Sequence, residues 1–496
     1  MEHLHQRRAP VEMDGETFRR LGYQVVDRLA DFLDALSDKP VAPGDSPEGI
    51  RAVLGDGGLP AEGTPAEHLL DEAADLLFDH STFNGHPRFL GYITSSATPI
   101  GALGDLLASG VNPNVGGFML SPMATEIEAQ TIRWIAELIG YPTDCGGLLV
   151  SGGNMANFTA FLAARHAKAG WHVRAEGLRA GPQLVVYGSR ETHTWIQKAA
   201  DLFGLGTDAI RWVATDAQER IDLEALERQI EADRAAGYQP FLVVGTAGTV
   251  STGAVDPLPA LAALCREQDL WFHVDGAYGA PAAALSKAPA DLKGLREADS
   301  LALDPHKWLY SPLEAGCVLV RRPQDLANAY SYHPDYYTLD TFDEGVPINY
   351  LEWGLQNSRG FRALKVWLGL RQVGRAGYEQ MMSEDISLAQ ALYQAVDAHP
   401  ELEAVTQNLS ITTFRFIPQD VNPEAEGAGE YLNELNEALV HTLEEGGEVF
   451  VSNAVVDERY LLRACIVNFR TSFKDVEALP EIIVRVGRKL HEKMQQ

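Results

Sequence analysis

A lysine between a histidine and a tryptophan, Lys307 in "LALDPHKWLY" (301–310), is the first residue that asks for a chemical explanation. An ammonium in apolar company costs several kcal/mol unless it is neutralised or paired. Three other pieces stand out upstream. "LWFHVD" closes on Asp275 and runs into the turn-prone "GAYG". "VSGGNMANFTAFLAAR" (150–165) is a Gly-rich turn opening into a helical pattern. "YGSRETHTW" (187–195) puts His193 just after a strand pattern. Ligands of open α/β sheets bind beyond the carboxyl ends of the strands, where these pieces fall.

Each piece alone has an ordinary reading. Lys307 could be a snorkelling surface lysine, Asp275 a cap or ion-pair partner, His193 a satisfied histidine, and the Gly-rich turn a helix cap. Together they form a coherent set. A Gly-rich helix start offers free N–H groups and a positive dipole end to a phosphate. A lysine can hold an aldehyde, a carboxylate can keep a ring nitrogen protonated, and an imidazole can lie on a ring face. Pyridoxal 5'-phosphate needs all four. The chain lacks G-x-G-x-x-G after a first strand and G-x-x-x-x-G-K-[ST], which disfavours dinucleotides and P-loop nucleotides.

The elements that would position these residues follow from patterning. Strand candidates are 183–188, 240–248, 270–275 and 316–321, with helical stretches 222–237 and 258–268 between them. This alternation predicts an α/β domain with a mostly parallel central sheet and helices on both faces. Residues 1–85 read as a helical N-terminal segment, with an amphipathic helix over 14–36 whose stripe is Phe18, Leu21, Val25, Leu29 and Phe32. The stretches 39–49 and 55–65 read as linkers. The large domain is expected over 86–375. A small α+β domain is expected over 376–496, with strands at 410–418 and 459–468 and a closing helix.

Composition narrows the partners. The chain has 496 residues, with 40 Lys+Arg against 69 Asp+Glu and a net charge of -29. Such a surface repels phosphate backbones and anionic lipid, so no nucleic acid or membrane partner is expected. The four cysteines, Cys145, Cys265, Cys317 and Cys465, show no metal or disulfide spacing, and "MEHLHQRRAP" has no apolar core of a signal peptide. A reduced, cytoplasmic protein without a metal is expected.

Over about residues 70–375 the chain resembles the group II pyridoxal-phosphate decarboxylases, which act on aromatic amino acids, tyrosine, histidine and glutamate. The resemblance is carried by the order and spacing of "HPRFLGYITSSATPIGALGDLL", "SPMATEIE", "SGGNMANFTAFLAAR", "HVDGAYG", "DPHKWLY" and "SRGFRALKVW". It implies fold type I for pyridoxal-phosphate enzymes and a homodimer with sites at the interface. It also implies Lys307 as the Schiff-base lysine, His306 near the phosphate and Gly153 and Asn154 in the phosphate cradle. Asp275 would face the pyridine nitrogen, with Ala277 and His193 on the two ring faces. Ser95 and Tyr92 would lie near the substrate, and Tyr336, in "YSYHPDYYTLDTFDEG", would be the lid tyrosine that returns a proton. A tyrosine there points to plain decarboxylation, since plant relatives with phenylalanine tend to be aldehyde synthases. Ser358 matches a position where plant relatives carry serine with phenolic substrates, a lean to tyrosine or DOPA. Gly116 and Gly117 are expected to leave pocket space.

Two positions depart from the aromatic-decarboxylase pattern. Gly248-Thr249-Val250 stands for Gly-Thr-Thr, which removes a hydroxyl near the cofactor. Asp304 stands where animal enzymes have asparagine. The resemblance implies an aromatic amino-acid substrate. The alternatives are an acidic amino-acid decarboxylase (glutamate, aspartate or cysteine sulfinate), another fold-type-I lyase or desulfurase, and a cofactor-free interaction protein on the same scaffold.

Overall fold

The computed structural model describes residue 5, residue 7, residues 9–332 and residues 347–496. Seven short, fully or largely buried strands build the large sheet. They are β1 (Gly146–Val150), β2 (Leu184–Ser189), β3 (Ile210–Val213), β4 (Gln239–Thr246), β5 (Trp271–Asp275), β6 (Ser300–Leu303) and β7 (Gly316–Val320). Their order is β1-β7-β6-β5-β4-β2-β3. The run β6-β5-β4-β2-β3 is parallel, and β7 is antiparallel to both its neighbours. Strands covered on both faces read as near-continuous apolar runs, which is why β2, β4, β5 and β7 are visible in the sequence.

The sheet direction decides where chemistry can sit. β1 opposes β7, and β7 opposes β6, so β1 runs the same way as β6. Val150, Ser189, Thr246, Asp275 and Leu303 therefore end on one edge. The turns after them carry the Gly-rich loop, His193, Val250, Ala277 and Lys307.

A second sheet of four antiparallel strands, β8 (Leu402–Asn408), β9 (Ile411–Phe416), β10 (Ser452–Val456) and β11 (Arg459–Cys465), packs on the helices Ala428–Glu445 and Phe473–Met494. The helix Ala363–Asp397 links the two sheets and breaks its helical backbone at Gly374, where φ is 68°. Glycine tolerates that left-handed conformation, which side chains resist.

Two expectations are corrected. Residues 39–49 are not a free linker: Val41 is fully buried, its N–H bonds to Gly447 O, and a helix starts at Pro47. The segment from 86 does not belong wholly to the large domain. Phe89 bridges Phe450, Leu90 exchanges backbone bonds with Phe450 and Cys465, and Leu90 is buried among the small-domain apolar side chains. Backbone pairing over a long sequence separation leaves no local signal.

Candidate active site

Lys307 lies in a tight turn after β6, its N–H bonded to Asp304 O. The residues beyond it anchor the turn. Trp308 stacks on Tyr278 with ring centroids 5.0 Å apart. Trp308 Nε1 and Tyr310 O–H both donate to Asp385 Oδ2, at 2.9 and 2.7 Å. Tyr378 O–H donates to Leu309 O at 3.3 Å. The kinked helix thus clasps the lysine turn from the side of the small sheet.

Lys307 Nζ meets Asp304 Oδ2 at 3.1 Å, and Asp304 is only 2% exposed. The expensive lysine is therefore paired, and the aspartate that departs from the family pattern supplies the pairing. His306 Nε2 lies 3.7 Å from the same oxygen, while its Nδ1 is 2.7 Å from Ala315 O. Burial holds both His306 and His193 below the ordinary imidazole range.

Asp275, at the end of β5, is buried and accepts three N–H donors. Trp195 Nε1 and Asn157 Nδ2 reach Oδ2 at 2.7 and 3.3 Å, and Ala277 N reaches Oδ1 at 3.1 Å. The Gly-rich turn opens the helix Gly153–Lys168. Gly152 has φ 107°, and a Cβ on Gly153 would sit 2.8 Å from Asp304 Oδ2, so neither position accepts a side chain at ease. Among the described residues no side chain caps this helix start, which leaves its first N–H groups free of a side-chain acceptor.

These groups surround one cavity of about 470 Å³. Its wall includes Gly153, Asn154, His193, Asp275, Ala277, Asp304, His306 and Lys307. Eight residues assigned from scattered stretches of sequence meet here. Thr246 and Glu191 join the wall without having been expected. Among the described residues Thr246 Oγ1, Glu191 Oε2 and Asp304 Oδ1 are buried without a partner, as polar atoms facing a bound group are.

Other expectations fall elsewhere. Ser95 donates to His306 O at 2.8 Å but does not line this cavity. Tyr92 is 58% exposed and packs its ring on Phe450, and Ser358 is exposed off the cavity. Gly116 leaves no pocket space, because a Cβ there would meet Asn357 O at 2.2 Å; close backbone approach explains the glycine. Tyr336 lies outside the described residues.

The sequence reading also missed Asn157, Trp195, His273 and Ser300. A signal existed. Asn157 is one helical turn beyond Gly153, and His273 shares the Asp275 face of β5, where a histidine interrupts an apolar strand.

A cavity of this size suits a small cofactor. An uncapped glycine helix start for a phosphate, a lysine, a buried carboxylate and orphaned acceptors fit pyridoxal phosphate. The sequence profile of the pyridoxal-dependent decarboxylase conserved domain matches residues 47–417. The chain belongs to this family of pyridoxal-phosphate-dependent amino-acid decarboxylases, with the fold-type-I architecture. It is 36% identical over 467 residues to an aromatic-L-amino-acid decarboxylase of Bacillus atrophaeus, spanning 94% of each chain. It is 30% identical to tyrosine decarboxylase 2 of Arabidopsis thaliana, over 96% of this chain and 88% of that one. The crystal structure of Oryza sativa TDC with PLP and tryptamine superposes with a TM-score of 0.90 at 26% identity, covering 98% of this chain and all of that one.

The clasp on the lysine turn has a consequence for stability. Burial pushes the Asp385 carboxyl up to about 7, against 3.8 for an ordinary aspartate. The folded state then binds this proton more tightly than the unfolded chain. Its contribution is complete below about pH 4 and is lost as pH rises through about 7. Asp385→Asn keeps an acceptor oxygen and cannot ionise. Relative to wild type it should gain on the order of a few kcal/mol at about pH 8 and almost nothing at about pH 4. Unfolding curves at the two pH values check this, and equal differences would contradict it.

Proposed function

We propose that the protein decarboxylates an aromatic L-amino acid to its amine and carbon dioxide. The cavity wall carries the reading. Among the described residues it holds four carboxylates, Glu191, Asp275, Asp304 and Glu314, and no arginine; Lys307, its one lysine, is engaged by Asp304. An acidic substrate side chain would meet repulsion there, whereas Ile93, Val250 and Leu313 offer apolar wall to an aromatic ring. That argues against the acidic amino-acid alternative. The lean to phenolic substrates from Ser358 gains no support from its exposed position. A desulfurase would want a thiol at the site, and no cysteine lines the cavity. A cofactor-free role would leave the glycine turn and Lys307 unexplained.

When bound, the cofactor supplies an electron sink for the pair left at Cα as carbon dioxide leaves. The chain's own groups do the rest. Gly153 and Asn154 hold the phosphate through backbone N–H groups. Lys307 attaches the cofactor and moves protons at its Nζ, with Asp304 fixing that atom. Asp275 keeps the proton on the ring nitrogen, since an opposite charge nearby favours the charged form. His193 and Ala277 would bound the ring faces, His306 would stand by the phosphate, and Tyr336 would return the proton to Cα.

Homodimer formation belongs to the same proposal. Leu103, Leu106, Leu107 and Val111 on the helix Pro99–Val111 are exposed, as are Phe18 and Leu29 of the N-terminal helix. Leu103, Leu106, Leu107 and Val111 fall on one helical face, and an exposed apolar face of this kind marks an interface. It lies in sequence beside Tyr92, whose exposed side chain would then serve the neighbouring subunit's cavity together with that of Ser358, while Ser95 stays bonded to His306 O of its own chain. We propose a cytoplasmic location from the sequence reading; no helix among the described residues is long and apolar enough to cross a membrane.

One experiment tests the substrate. The cofactor-loaded protein, which should sediment as a pair of chains, is incubated with the proteinogenic amino acids plus DOPA and hydroxylated tryptophan. Amines from tyrosine, DOPA, phenylalanine or tryptophan should lead. A lead for glutamate or aspartate would move the assignment to the acidic class.

A further inference from the structure

Alternate side chains of a strand share a face, so β5 turns Trp271, His273 and Asp275 the same way. β6 places Ser300 in register with His273. Asn157 reaches the same layer from the helix Gly153–Lys168. All these polar groups are buried.

Their hydrogen bonds have a single consistent direction. Trp271 Nε1 donates to Ser300 Oγ at 2.8 Å. Ser300 Oγ lies 2.8 Å from His273 Nδ1, and His273 Nε2 lies 2.7 Å from Asn157 Oδ1. Asn157 Nδ2 donates to Asp275 Oδ2. An amide oxygen only accepts, so the histidine proton sits on Nε2. Burial pushes the His273 pKa down to about 4, so the ring is neutral and Nδ1 only accepts. The Ser300 hydroxyl must then donate to Nδ1.

Asn157 is the weak member of this chain. Its amide has two orientations of nearly equal shape. The flipped one would turn an oxygen onto the Asp275 carboxylate, acceptor against acceptor. That repulsion disfavours the flip at one end, the His273 Nε2–H opposes it at the other, and the Ser300 hydroxyl keeps the proton on Nε2.

We propose that His273 and Ser300 are positioning residues that lock the Asn157 amide N–H onto Asp275 and so hold that carboxylate turned toward the cofactor. The proposal rests on the reading of Asp275 as the partner of the ring nitrogen.

Ser300→Ala removes the hydroxyl with little change of shape, and Ser300→Thr restores it. Nitrogen NMR of histidine-labelled protein without cofactor should show His273 as a single neutral Nε2–H tautomer in wild type and Ser300→Thr, and as a mixture in Ser300→Ala. In the loaded enzymes Ser300→Ala should lower kcat by about 10- to 100-fold, the scale of lost outer partners, with KM little changed and the cofactor absorbance band shifted. Should the single variant fold poorly, Trp271→Phe/Ser300→Ala removes both partners of the broken bond and should give the same readings. Wild-type tautomer and kcat in Ser300→Ala, while Asp275→Asn is crippled, would overturn the relay alone. Normal turnover by Asp275→Asn would instead overturn the reading of Asp275, and the relay with it.

Discussion

Lys307→Ala should abolish measurable decarboxylation. The fall should reach at least the roughly 10²–10⁴-fold typical of a lost acid–base group, because attachment of the cofactor is lost as well. The turn itself should survive. Trp308 and Tyr310 keep their bonds to Asp385, and these involve no atom of the lysine side chain. The complication is Asp304, which loses its 3.1 Å partner in a buried setting. Breaking a buried pair costs about 3–5 kcal/mol, so the single variant should melt early. Lys307→Ala/Asp304→Asn removes both charges and should recover most of that stability while remaining inactive. Borohydride reduction of the loaded wild type, followed by peptide mapping, should find the pyridoxyl group on Lys307. A label on another lysine, or activity in the double variant, would refute the assignment.

Lys307, Asp275 and the Gly-rich turn were legible in the sequence for a physical reason. A lysine among apolar residues, a carboxylate closing an apolar strand and a glycine pair before a helix each violate a local preference, and such violations gather at functional sites. The strands that could be read, β2, β4, β5 and β7, are apolar and flanked by turn residues. β6 is four residues long and was absorbed into the apolar start of the lysine segment. What could not be read are the partners. Asn157 and His273 meet across 116 residues of chain, and Trp195 and Asp275 across 80. A polar residue in an apolar element is visible locally, but which partner it meets is fixed only by the sheet order. The stripe of Phe18 and Leu29 shows the converse. Its period was correct, but periodicity cannot say what covers an apolar face: Leu21 is buried and Phe32 stacks on Phe78, while Phe18 and Leu29 stay exposed among the described residues.

Asp275→Asn should leave the cofactor attached yet remove most turnover. The wild-type carboxylate takes Trp195 and Asn157 on one oxygen and Ala277 N on the other. An asparagine has one oxygen for these three donors. Facing Trp195 and Asn157 with it keeps two bonds and sets an N–H against Ala277 N; the reverse keeps one bond and sets an N–H against two donors. The first arrangement should prevail, so the fold should lose little. What goes is the negative charge. Without it the protonated ring nitrogen would lose its facing carboxylate, and the electron sink weakens. Loss of one member of a buried charge pair costs about 3–5 kcal/mol, or roughly 10²- to 4 × 10³-fold in kcat at about 1.4 kcal/mol per decade. Labelling at Lys307 should persist, because the lysine turn and the Gly153 helix start are untouched. A cofactor analogue methylated at the ring nitrogen carries its positive charge without help. It should narrow the gap between Asp275→Asn and wild type if charge is what Asp275 supplies. Near wild-type kcat in the variant would remove Asp275 from the mechanism. A crippled variant that the charged analogue leaves unimproved would reduce Asp275 to a holder of the ring.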